Sequence, residues 1–390
     1  MPTRRRQHIR RRVFTLLLII FLVIAGIIGF NAVKHLPFLW QLTFNKQIAL
    51  KKTQENKINL LILGVGGGTH DGPDLTDTII FASIDPNTKK VVLISLPRDL
   101  WVPELKAKIN AAYTYGELKE KGGGLVLAKA LIGKVLGQQI DYAVKIDFDG
   151  FVKAIDMVGG LDISVDNTFD DYEYPITGKE DDTCGHTDQE IASLSAQLAS
   201  GSATELDTFP CRYEHLHFDR GLQHMDGTTA LKYVRSRHAL GVEGSDFARS
   251  KRQQKVIEAF KEKVFSLGTI LDPVKTIGLI NTIQSSIDTD IQESDYDDFI
   301  RLAQKLKGAK ITSTVIDVGD EANNRFGLLI NPPISDEYNN AWVLAPRTGN
   351  GNYIEIQQYV ACELKSGNCI VGQNGILTPT PPVTPAVKRK

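Results

Sequence analysis

Two stretches concentrate side chains suited to gripping an anion: Tyr233-Val-Arg235-Ser-Arg237 and Ser245-Asp246-Phe-Ala-Arg249-Ser-Lys-Arg252-Gln253-Gln254. The second opens a helix whose polarity is in an unusual place. At 100° per residue, Asp246, Arg249 and Gln253 share one narrow face, and Val256, Ile257, Phe260 and Val264 continue it. Lys251, Lys255, Glu258 and Glu262 take the opposite side. The face that becomes core therefore begins with an acid, a guanidinium and an amide, and inward charges are costly unless paired or used. Arg235 and Arg237 alternate with Val234 and Ser236, so in an extended segment they point to one side. Four arginines and a carboxylate so close in sequence are the chemistry of a bidentate phosphate clamp. The structural alternative is a salt bridge at a helix N-terminus, with Asp246 as its cap.

The elements that must carry these residues follow from periodicity. Ile58 to Gly64 is a buried strand broken by Gly66-Gly67-Gly68. Thr78 to Ile84 and Val91 to Leu96 are two more, joined by an Asp85-Pro-Asn-Thr turn. Leu125 to Leu136 has helical spacing and stops at Gly137. Asp141 to Ile146 is a strand, Phe148 to Val158 a helix and Leu161 to Val165 a short strand. Further on come a helix from Asp295 to Lys307 and a strand from Lys310 to Val318. This alternation predicts an α/β fold, an α-β-α sandwich around a central mixed sheet.

The chain reads as a basic arm (1–12), an anchor (13–30), a polar spacer (31–57) and a main domain (58–320) interrupted by a polar insertion (169–211). A small lobe (321–376) and a proline-rich tail (377–390) follow. Six arginines precede the apolar run Val13 to Phe30, which at 1.5 Å per residue spans about 27 Å, close to one bilayer core. Lys34 follows it, and the arginine excess favours an N-terminus inside and a body outside. A cleaved signal peptide is the competing reading, but the run is long for one and no clear cleavage site follows.

Removing those six arginines from 45 basic residues leaves 39 against 46 acidic ones. The outer part is therefore no bulk polyanion surface, which argues against nucleic acid and leaves any anion site local. The glycine-rich loop after the first strand lacks the Gly-Lys-Ser/Thr of a P-loop and the dinucleotide spacing. Neither a nucleophile-elbow serine nor a zincin motif is present. The cysteines fall into sequence-close pairs, Cys184 with Cys211 and Cys362 with Cys369, and in an oxidising exterior two local disulfides are the simplest expectation.

Five motifs occur in order: Thr76-Asp77-Thr78, Leu96-Pro97-Arg98-Asp99, Lys108-Ile-Asn110-Ala-Ala-Tyr113, the Gly221 to Arg235 stretch, and Asp246…Arg249…Arg252-Gln253-Gln254. Together, over about residues 58–268, the chain resembles the LytR–CpsA–Psr family. That resemblance implies an envelope phosphotransferase. It would take a glycopolymer phosphate from an undecaprenyl-diphosphate carrier and join it to a peptidoglycan hydroxyl, aided by Mg²⁺. By motif position it implies that Arg98, Lys108, Arg235, Arg237, Arg249 and Gln253 bind the diphosphate lipid. Asp77 would hold the metal, and Asp246 would position an arginine or assist proton removal. Asp77, Asp99 and Asp246 are all candidate bases. The chain departs from the family where an acid and an arginine are usual, having Gly66 and Leu75 instead, with Asp71 or Asp74 offered as a displaced metal ligand and His70 beside them. Val256, Ile257 and Phe260 would line a lipid groove or be plain core. A non-catalytic wall-binding or regulatory module and a diphosphatase are the alternative functions.

Overall fold

The structure, a computed structural model, describes residues 48–52, 56–67, 74–266, 286–320 and 325–377. The basic arm, the anchor, most of the spacer, His70, Asp71 and the proline-rich tail lie outside the described residues. Among the described residues no helix is long and apolar enough to cross a membrane. The chain divides into two units, one of residues 1–50 with 292–304, the other of 51–291 with 305–390.

In the larger unit, strands β1 (Ile58–Val65), β2 (Thr76–Asp85) and β3 (Lys90–Leu96) form an antiparallel meander. Helices α1 (Ala112–Lys119) and α2 (Gly124–Leu136) follow, and α2 stops at Gly137, whose left-handed φ of 64° a side chain would resist. Strand β4 (Tyr142–Asp147) lies parallel to β1. Asp147 then caps helix α3 (Phe148–Met157) by accepting from the Gly150 N–H at 2.8 Å. Strands β5 (Leu161–Val165), β6 (Phe169–Pro175), helix α4 (Asp188–Ser200), β7 (Tyr213–Phe218) and β8 (Gly221–Met225) come next. Helices α5 (Gly227–Arg235) and α6 (Asp246–Ser266) carry the arginine-rich stretches. With β9 (Ile287–Thr289) and β10 (Lys310–Val315), the central sheet has the order β9-β4-β1-β2-β3-β10 and mixes parallel with antiparallel pairs, as expected. In the smaller unit the described chain includes helix α7 (Tyr296–Lys305), where Arg301 donates to Asp297 at 2.7 Å and Asp298 at 2.8 Å. The last helix, α8 (Ile354–Lys365), returns to the larger unit.

The strand period of two splits the sheet's side chains between two faces. Leu61, Leu63, Ile79, Phe81, Val92 and Ile94 join α2 in the main hydrophobic cluster. Ile62, Gly64, Thr78 and Ile80 take the other face, which matters for the site below. A second cluster gathers Ile155 and Val158 with β5 to β8, α5 and Val256 of α6.

Three expectations change. From about Asn331 to Gln373 the sequence has loop signals and two short strand-like runs, but Ile354–Lys365 is helical, with Ile356, Tyr359, Val360 and Leu364 buried at helical spacing. Its isoleucines, tyrosine and valine suggest strand, and burial of one stripe overrides that preference. These residues sit in the main cluster with β1 to β3, so the segment shares the principal core instead of standing apart as an appended lobe. Tyr233 to Arg235, expected extended, is the last turn of α5, a helix nucleated by Asp226, which caps Thr229 N at 2.7 Å. In the polar insertion, where Ile191, Leu194 and Leu198 have helical spacing, α4 forms with no fully buried residue, but the insertion's first strand is built into the second cluster through Phe169 and Tyr174. Both expected disulfides are present, Cys184 with Cys211 and Cys362 with Cys369.

Ile356→Ala should destabilise the whole larger unit by about 2–5 kcal/mol, the range for emptying a buried aliphatic site. Chemical denaturation checks it; a transition confined to the C-terminal segment would contradict the shared core.

Candidate active site

Between the second face of the sheet and helices α3, α5 and α6 lies a cavity of about 360 Å³. Its apolar walls are Ile62 and Ile80 from the sheet, Phe151 from α3, Leu231 and Val234 from α5, and Val256 and Ile257 from α6. Where a closed sandwich would have core, this one has a hollow. Asp77, Arg98, Arg235, Arg237 and Arg249 also line it, so four guanidinium groups from three separate segments meet one apolar hollow.

Each arginine is held by a different device. Arg98 donates to Asp77 and lies 3.5 Å from Asp99. Burial alone would lower its proton affinity, but the two carboxylates outweigh this and hold it above the ordinary guanidinium value. Arg235 stacks over the Phe148 ring at 4.1 Å and donates to the Tyr174 hydroxyl at 3.2 Å. Burial pushes the Tyr174 hydroxyl above its usual range, although Arg235 pulls the other way, so a neutral phenol faces the cation. Arg237 follows the end of α5 on a turn fixed by Asp171. That carboxylate, 0% exposed, accepts from Ser236 Oγ at 2.7 Å and from the backbone N–H groups of Arg237 and His238 at 3.2 Å each. Helix α6 opens with Ser245 as its cap, its Oγ accepting from Ala248 N at 3.2 Å, so the capping role does not fall on Asp246. One and two turns on, Arg249 and Gln253 line the cavity, and Gln253 Nε2 donates to Thr78 Oγ1 at 3.1 Å, tying α6 to β2.

The fourth arginine of the cluster has another task. Arg252 is 2% exposed and donates to the carbonyls of Tyr233, Ser236 and Glu243 and to the Glu243 carboxylate. It is a buried brace for the Arg235–Arg237 turn and does not reach the cavity lining.

A model of the LytR_cpsA_psr family matches residues 39–337. The chain belongs to that family. Among relatives, it is 26% identical over 336 residues to the polyisoprenyl-teichoic acid–peptidoglycan teichoic acid transferase TagU of Oceanobacillus iheyensis, covering 81% of this chain and 88% of that one. It is also 26% identical over 254 residues to the biofilm regulatory protein A of Streptococcus mutans, covering 62% and 51%. The crystal structure of Bacillus subtilis TagV shares the fold, with a TM-score of 0.51 at 22% identity over 80% of this chain and 97% of that one.

For this LytR_cpsA_psr family member, the structure brings Asp77, Arg98, Arg235, Arg237, Arg249 and Gln253 to one cavity. It does not bring Lys108, whose ammonium donates to Asp99 at 2.7 Å and lies 5.8 Å from the Trp342 ring. Asp246 starts α6, but its side chain, like Asp71, lies outside what is described. Asp74 pairs with Lys145 at 3.3 Å. Two acids absent from the sequence reading enter the site. Asp171 was detectable as an acid at an inward position of an alternating strand. Asp147 was detectable as a strand-ending acid before Phe148-Asp-Gly, and it lines the same cavity as Asp77. A Cβ added at Gly67 would lie 2.9 Å from the Asp147 Cβ, so Gly67 packs directly against that side chain.

Asp171→Ala should lower the unfolding free energy by about 3 kcal/mol, because four donors, the Glu173 N–H among them, lose a buried charged acceptor. Denaturant titration reads it, and an unchanged midpoint would show that another group holds the turn.

Proposed function

We propose that this protein transfers a glycopolymer phosphate from a polyprenyl-diphosphate carrier to a peptidoglycan hydroxyl. One observation carries the reading: several guanidinium groups converge on a cavity walled by aliphatic side chains. A diphosphate joined to a hydrocarbon chain matches both halves, its anionic head against the arginines and its first isoprenyl units in the hollow. The relatives named as teichoic acid–peptidoglycan transferases support the same reaction class.

In the reaction, the acceptor hydroxyl oxygen attacks the phosphorus that bears the glycan. A new P–O bond forms, the bond to the bridging oxygen breaks, and polyprenyl phosphate departs with that electron pair. The hydroxyl proton passes to a carboxylate: Asp77 lines the cavity, and Asp99, beside Arg98, and Asp246 are the other candidates by motif position. Arg98, Arg235, Arg237 and Arg249 stabilise the charge that grows on the departing phosphate, from positions set before substrate arrives. Burial strengthens each contact by excluding water.

Magnesium would supply further charge neutralisation on the diphosphate. Asp77 and Asp147 fit its hard-oxygen preference, since Arg98 engages one oxygen of Asp77 and the α3 cap uses one oxygen of Asp147. Among the described residues, the one cluster of three metal-type side chains is Asp182 with Cys184 and Cys211, whose sulfurs are joined to each other. A cation in the arginine site would therefore take most of its ligands from phosphate oxygens.

The body would lie outside the cell membrane, held by residues 13–30. The arginine-rich start and two disulfides support this placement. A reporter active only outside the membrane should be active when fused after Leu377 and silent when fused before Met1; the reverse pattern rejects the topology.

With full-length protein in detergent, a polyprenyl-diphosphate glycan donor and peptidoglycan oligomers, phosphodiester product should form. Arg235→Ala should lower kcat/KM by about 10²–10³-fold, as for loss of one preorganised charge stabiliser. Release of glycan phosphate to water at the same rate with and without acceptor would point to a diphosphatase. Equal turnover in Arg235→Ala would reject the clamp.

A further inference from the structure

Beside the arginine cavity runs a second, larger cleft of about 810 Å³. The two share Asp77, Thr78, Arg249 and Gln253 and otherwise have different walls. The second is built from the end of β3, the turn before α6, Val315 to Asp320 and residues between Arg325 and Leu344, and its polar side chains include Asn167, Lys251, Asp317, Asp320, Arg325 and Asn331. At its rim stands Trp342, 49% exposed. In its wall, the Ser95 hydroxyl is buried and lacks a hydrogen-bond partner.

We propose that this cleft seats the acceptor, a β-linked amino-sugar chain, with Trp342 as the platform for a sugar ring. The proposal rests on the transfer reaction above and locates its second substrate.

The first argument is directional. In-line phosphoryl transfer puts the nucleophile opposite the leaving group. The departing polyprenyl phosphate must point toward the aliphatic cavity, because only there can its hydrocarbon leave water. The attacking hydroxyl then arrives from the other side of the phosphorus. The two spaces adjoin at the four shared residues, so the second cleft gives the nucleophile an approach that the aliphatic cavity does not occupy.

The second argument is chemical. A pyranose offers an apolar C–H face, which suits the flat Trp342 ring, and edge hydroxyls, which suit carboxylate, amide and serine partners.

The test uses full-length protein in detergent, the polyprenyl-diphosphate glycan donor and soluble, uncross-linked peptidoglycan oligomers. Trp342→Ala should raise KM for the oligomer about tenfold while leaving KM for the donor unchanged. Trp342→Phe should recover most of the loss, because it keeps a flat ring. Trp342 lies outside the small cluster of Trp101, Tyr338, Val343 and Ala345, so its truncation leaves that packing intact. Independently of turnover, the oligomers alone should quench tryptophan fluorescence in the parent protein and not in Trp342→Phe. Quenching without transfer would retain the glycan cleft and reject the transfer reading. Transfer with an unchanged oligomer KM in Trp342→Ala, or a raised donor KM instead, would overturn the cleft assignment.

Discussion

The site depends on one pair of opposed buried charges. Arg252 draws together the carbonyls at the end of α5, while Asp171, from a neighbouring strand, gathers the donors of Ser236, Arg237 and His238. The turn between them carries Arg235 and Arg237 on its two flanks. Burying a guanidinium costs several kcal/mol before its partners are counted. Here burial depresses the Arg252 proton affinity, with Glu243 acting against it. That expense makes sense if the turn must not relax when a strongly charged ligand pulls on it.

The hollow beside this turn follows from how the sheet is covered. One face is sealed by α2 and α8, whose side chains interdigitate with Leu61, Phe81 and Ile94. On the other face, α3, α5 and α6 pack mainly against β5 to β8, leaving Ile62, Thr78 and Ile80 facing open space. A groove with a rigid aliphatic floor and charged rim can distinguish an amphiphile from a simple phosphate ester, since each half of the ligand meets its own solvent substitute. Gln253, bonded to Thr78, stitches the helix to the sheet where the two cavities meet.

Much of this was legible in the sequence because it depends on local periodicity. The strand runs from Ile58 and Val91, the helix stop at Gly137, the pairing of cysteines and the inward polar start of α6 all follow from spacing along a few residues. The miss at Ile354–Lys365 has a clear cause: β-branched and aromatic residues favour strand locally, and only docking of the Ile356, Tyr359, Val360 stripe onto the main core makes helix the better choice. Arg252 shows the complementary failure. It stood beside Arg249 in an apparently uniform basic cluster, yet three residues of helix turn it from the cavity toward the α5 carbonyls. Asp147 and Asp171 were passed over because nothing next to them in sequence demanded an acid.

Residue order alone settled the mixed α/β class, the family motifs and the stock of arginines available to meet an anion, because those depend on residue type and short-range period. Tertiary structure decided which arginines face the hollow and which brace it, and that a second cleft adjoins it at shared residues. Those outcomes arise where segments more than sixty residues apart in the chain are packed side by side, as Asp171 is with Ser236, and no local rule encodes such meetings.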